Sequence, residues 1–116
     1  MEYHDGERLS HLGDVPAMGA YRYGDRTAFS TSYGQEITYD ELEEKSRKAA
    51  NALIEQGVEP GDRVGLFVPN TLQFPPAYFG TIKAGGVAVP INLRMDPESM
   101  VYVVDNAEID VMIASD

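Results

Sequence analysis

Leu42, Ser46, Ala49, Ala50, Leu53 and Ile54 recur at helical spacing along one face. Glu43, Glu44, Arg47, Lys48 and Glu55 take the opposite face. That period predicts an amphipathic helix over residues 39–56 with a solvated acidic side. Its start is marked by Thr38-Tyr39-Asp40-Glu41, a capping box in which Thr38 caps and Glu41 reaches back. Gly57 follows as a left-handed terminator.

The pattern then changes. After the turn at Pro60-Gly61-Asp62, residues 64–68 are apolar without alternation. Strands of that kind are usually buried on both faces, hence parallel and covered by helices. Residues 87–91 and 111–114 repeat the pattern. Between the first two strands, Tyr78, Phe79 and Ile82 give a helix an apolar face. Its start belongs near Pro75, because proline fits the first turn of a helix and not its interior. Between the last two strands, Asp96 caps a helix with Pro97 at its first position, and Met100, Val103, Val104 and Ala107 form its inner face. From residue 63 the order is β-α-β-α-β, which predicts a three-stranded parallel sheet with right-handed helical crossovers. Upstream, residues 15–23 read as a short helix. Residues 27–31 and 36–38 read as a small β-hairpin turning at Tyr33-Gly34-Gln35. Residues 1–13 are polar and aperiodic, a poorly ordered lead-in, which leaves 14–116 as a partial α/β domain.

Composition narrows the function. At 116 residues the chain is one domain at most. No apolar run approaches the roughly 20 residues that span a bilayer. The first residues carry neither a basic region nor an apolar stretch, so the default location is cytoplasmic. Cysteine is absent, which removes disulfides, thiolate metal sites and cysteine nucleophiles. Nineteen acids face nine bases, for a net charge of −10. So acidic a surface repels phosphate backbones and argues against a nucleic-acid partner. It suits an ordinary soluble protein, and also a salt-adapted source in which salt screens self-repulsion.

Chemistry-bearing motifs are scarce. Gly80-Thr81-Ile82-Lys83-Ala84-Gly85-Gly86 invites a phosphate-loop reading, but Lys83 precedes the glycine it should follow. The segment also ends a helix, whereas phosphate loops open one. It reads as a terminator and tight turn. No serine sits in a G-x-S-x-G context. Glu43-Glu44 is placed on a solvated helix face. His4 and His11, with Asp5, Glu7 and Asp14, lack the spacing of a metal site. No catalytic and no metal-binding residue is assigned.

Several segments taken in order add a resemblance. They are Thr38-Tyr39-x-Glu41-Leu42, Gly57-Val58-x-Pro60-Gly61-Asp62-Arg63-Val64, Pro69-Asn70, and Lys83-Ala84-Gly85-Gly86-Val87-Ala88-Val89-Pro90-Ile91-Asn92. Arg94 and Asp105-Asn106-Ala107 complete the series. From about Asp25 to Asp116 the chain resembles the start of the AMP-forming acyl-CoA synthetases. Pro90-Ile91-Asn92-Leu93-Arg94 is more similar to the fatty-acyl branch than to peptide-synthetase adenylation domains.

The resemblance implies a parent that joins a carboxylate to coenzyme A through an acyl-adenylate, using ATP and magnesium. It implies that the phosphate loop, magnesium-binding acid, ribose-binding acid and catalytic lysine lie downstream. Lys83 is not that lysine. The chain alone is expected to bind none of these cofactors and to be inactive. The alternative is a stand-alone α/β binding or interaction module derived from the family. Open parallel sheets bind ligands beyond the carboxyl ends of their strands, here Asn70, Asn92 and Arg94. Arg94 is the first candidate, as a two-pronged donor for a coenzyme A phosphate. Its competing use is a salt bridge to Asp96 or Glu98, and Asn70 and Asn92 compete as turn and cap residues. A sheet of this kind ending after three strands would leave open edges and apolar surface, so self-association is expected.

Overall fold

The computed structural model describes residues 12–69, 71–91 and 94–114. A 3₁₀ turn at Leu12–Asp14 leads into α1 (Val15–Tyr23). The hairpin β1 (Thr27–Ser30) and β2 (Glu36–Thr38) runs straight into α2 (Tyr39–Glu55). Then come β3 (Arg63–Phe67), α3 (Phe74–Lys83), β4 (Val87–Pro90), α4 (Pro97–Asn106) and β5 (Val111–Ala114).

The capping box at α2 forms as expected. Glu41 N donates to Thr38 Oγ1 at 3.1 Å, and Thr38 N donates to Glu41 Oε1 at 2.9 Å. Asp96 caps α4, its carboxylate accepting from Ser99 N at 2.7 Å. The helix α3 starts at Phe74, one residue before Pro75. It ends with Gly85 at φ +87°, whose N–H bonds the Ile82 carbonyl at 3.0 Å. The Gly80–Gly86 segment is thus a helix end and turn into β4.

β3 is the centre of the parallel sheet, in the order β4-β3-β5. Val64 aligns with Ala88 on one side and Val111 on the other. The strand order makes α3 and α4 run in opposite directions along the sheet, so right-handed crossovers place them on opposite faces. The core lies on the α2–α3 face. Val64 and Leu66 from β3 pack with Ala50, Leu53, Val58, Ala77 and Ala84. Each such aliphatic side chain contributes about 1.5–3 kcal/mol when fully buried. The helices α2 and α3 cross closely at Gly80. A Cβ there would lie 2.5 Å from Ala49 Cβ and 2.9 Å from the Ser46 carbonyl.

Three expectations need correction. β4 and β5 are not buried on both faces: Val87 and Met112 are exposed on the face away from α2 and α3. They are the outer strands of the sheet, and no residue of α4 is fully buried over them. Ile54 is exposed, whereas Ala50 and Leu53 of the same helix are buried. Glu43 is not solvated but buried, paired with Lys83 of α3.

Candidate functional site

Two arrangements of side chains stand out. The first is a cleft of about 560 Å³ between the hairpin turn and the start of α3, beside the segment that follows β3. Its α3 wall is aromatic. The Phe74 and Tyr78 rings stack with centroids 6.0 Å apart, and Tyr78 meets Phe79 edge-on at 5.3 Å. Phe74 and Tyr78 also rest on the core, which fixes that wall. The facing wall is the β1–β2 turn, with Ser30, Thr31 and Ser32. Thr31 holds the turn: its N–H donates to the Gln35 carbonyl at 2.8 Å, and its carbonyl accepts from Gly34 N at 3.1 Å. Its hydroxyl accepts from Tyr33 N and Gln35 N, each at 3.3 Å. Thr71 closes the third side, its hydroxyl accepting from Gln73 N at 3.3 Å. None of the twelve described residues that line it is charged.

The second is an ionic cluster where α2 meets the end of α3. Glu43 Oε2 accepts from Arg47 Nε at 2.7 Å. Glu43 Oε1 lies 2.8 Å from Lys83 Nζ, an ion pair outside hydrogen-bonding angles. The Glu43 and Lys83 side chains are 10 % and 16 % exposed. Glu43 tolerates burial because two cations meet its two oxygens. Ser46, one turn on, is fully buried and its hydroxyl has no partner among the described residues. Lys83 therefore acts as a tie between the two helices.

Arg94 is exposed, four residues past the end of β4 and two before the α4 cap. It does not line the cleft. Asn70 and Asn92 lie outside the described residues, as do His4 and His11. Among the described residues no three acidic, histidine or cysteine side chains converge as a metal site. No helix among them is long and apolar enough to cross a membrane. Among the described residues, two carboxyls at helix starts are shifted from their ordinary values. Glu41 is held below the usual carboxylate range, first by its hydrogen bond from the Thr38 backbone and then by the Thr38 side chain. Asp96 is lowered first by its hydrogen bond from the Ser99 backbone.

The glycine-rich turn lies at a helix C-terminus, where carbonyls point outward. The described residues that line the cleft include no cation.

Sequence reasoning missed the cleft. The available signal was Phe74, Tyr78 and Phe79 on one helix face beside Pro75-Pro76. Pairing that face with the hairpin turn required the tertiary fold.

The sheet, its hairpin and its helices are those of adenylate-forming N-terminal domains. The Mycobacterium tuberculosis fatty acyl CoA synthetase superposes with TM-score 0.80 at 28 % identity, over 88 % of this chain and 20 % of that one. The Klebsiella oxytoca NpsA N-terminal subdomain in complex with 3-hydroxyanthranilyl-AMSN gives TM-score 0.85 at 25 % identity, over 93 % and 28 %. The family model described as AMP-binding enzyme matches residues 17–116, and the chain belongs to that family. A Yersinia pestis long-chain-fatty-acid–CoA ligase is 37 % identical over 114 residues, 96 % of this chain and 20 % of the relative. A Rhodococcus rhodochrous 3-oxocholest-4-en-26-oate–CoA ligase is 37 % identical over 82 residues, 71 % and 15 %. The chain thus spans a fifth or less of the length of these curated relatives.

Proposed function

We propose that this chain is the N-terminal portion of an AMP-forming acyl-CoA synthetase of the fatty-acyl branch, and that its 116 residues catalyse no step alone. The parent reaction joins a carboxylate to coenzyme A, converting ATP to AMP and pyrophosphate. One observation carries the reading: 37 % identity over 96 % of this chain to a long-chain-fatty-acid–CoA ligase of which it spans only 20 %. In this reading the part's contribution is architectural. It provides β3 and its neighbours as part of a larger sheet, and strand-end loops toward which the rest of the enzyme would bring its ligands. Arg94 is the residue of this part best suited to a coenzyme A phosphate, with Asn70 and Asn92 as neighbouring strand-end contacts. The acidic chain works in the cytoplasm and engages no nucleic acid.

The reading frame past Asp116 tests this. A Thr-Ser-Gly-Thr-Thr-Gly-like loop within the next hundred or so codons, and pyrophosphate exchange by the extended chain, are the expected results. A natural stop codon at once after Asp116 favours the stand-alone module instead. The isolated chain should also self-associate, because β4 and β5 have no outer neighbours among the described residues and Val87 and Met112 are partly exposed. Light scattering is expected to give dimers or larger species. A clean monomer at high concentration removes that part of the proposal.

A further inference from the structure

We propose that the cleft between the β1–β2 turn and α3 is a preformed binding site for an uncharged, flat aromatic ring. The inference stands apart from the acyl-CoA synthetase reading and uses none of its ligands.

Size and place come first. About 560 Å³ falls within the range of small-molecule pockets. The cleft adjoins the segment leaving the C-terminal end of β3, the end of a parallel sheet where ligands collect.

Both walls are set before any ligand arrives. The Phe74–Tyr78–Phe79 wall is held by ring contacts and by the core beneath it. The opposite wall is a turn fixed by the backbone and hydroxyl of Thr31. A site that does not have to be ordered on binding keeps more of its contact energy.

Charge selects the class. The chain is 24 % charged, yet none of the twelve lining residues carries a charge. Among these described residues a bound anion would find no counter-ion, and a bound cation no carboxylate. Burying either unpaired is costly, whereas a neutral ligand meets no such penalty. Ring geometry selects the shape. Stacked and edge-on phenyl groups present faces and edges that complement another ring. Ser30 and Ser32 on the rim offer hydroxyls to a polar substituent at the ring's edge.

The absence of cysteine permits a direct test. Ser32→Cys places one thiol on the rim, and Ser99→Cys places one on the exposed first turn of α4, away from the cleft. Each chain is equilibrated with matched disulfides ending in naphthyl, linear alkyl, ammonium or carboxylate groups, under a fixed thiol buffer. Capture is read by mass spectrometry. The S32C chain should take the naphthyl group at least tenfold over the other three. The S99C chain should favour ammonium, because the whole chain carries −10. Urea should abolish the naphthyl preference. Ser30→Cys, on the same rim, should repeat the order seen with S32C, which guards against one variant failing to fold. Identical ranking at the rim and on α4 overturns the site. A naphthyl preference that survives urea does the same. Equal capture of the alkyl and naphthyl groups overturns the ring as occupant.

Discussion

The two halves of the sheet are built differently. On one side, β3 is covered by α2 and α3, and Val64 and Leu66 are completely buried. On the other, β4–α4–β5 exposes Val87, Val101, Tyr102 and Met112, and no residue of α4 is fully buried. Both halves come from similarly apolar strand segments. The difference is position: β3 has a strand on each side and two helices over one face, whereas β4 and β5 have a strand on one side only. The first half holds a core of its own. The second is shaped like one but is short of cover.

Truncations in the core should separate the halves most sharply. Leu66→Ala is expected to cost about 2–5 kcal/mol through lost transfer energy and a cavity. Val101→Ala, on exposed α4, should stay within about 0.5 kcal/mol. Urea denaturation of the two variants checks both. Equal losses would mean that the halves are equally packed.

The ionic tie comes next. Glu43→Ala leaves the largely buried Lys83 ammonium without its carboxylate and should cost about 3 kcal/mol. The double variant Glu43→Gln/Lys83→Met should recover most of that loss. If the single variant matches wild type in thermal melting, the tie is a surface pair of little consequence.

The helix caps should give the smallest effect. Thr38→Ala removes the acceptor for Glu41 N and should cost about 1 kcal/mol. The cap carboxyls of Glu41 and Asp96 are lowered relative to the unfolded chain, so the folded state binds fewer protons. Their contribution is therefore present above the ordinary carboxyl range and lost as pH falls through the lowered values. Melting temperature should fall on acidification, and less so in Glu41→Gln. An unchanged slope in that variant would remove Glu41 from the account.

Much of the fold was legible in the sequence. Helix starts were readable wherever a side chain caps locally, as Thr38 and Asp96 do. The parallel sheet followed from apolar runs separated by helical periods. What escaped depended on distant partners. Glu43 reads as solvated until Lys83, forty residues on, is brought beside it. Residues 87–91 and 111–114 read as fully buried because their composition carries no mark of being at the edge. The cleft joins residues 29–35 to 71–79, a pairing that no local period encodes. Family membership was readable for the opposite reason: it rests on ordered local segments, the turns and caps that punctuate this fold.

As proposed above, this chain is a structural part of a ligase and catalyses no step alone. The most direct measurement is exchange of radiolabelled pyrophosphate into ATP by the purified 116-residue chain, with magnesium and a panel of fatty acids. No exchange above a protein-free blank is expected for any acid. Exchange that depends on both the fatty acid and the chain would show that these 116 residues are catalytic.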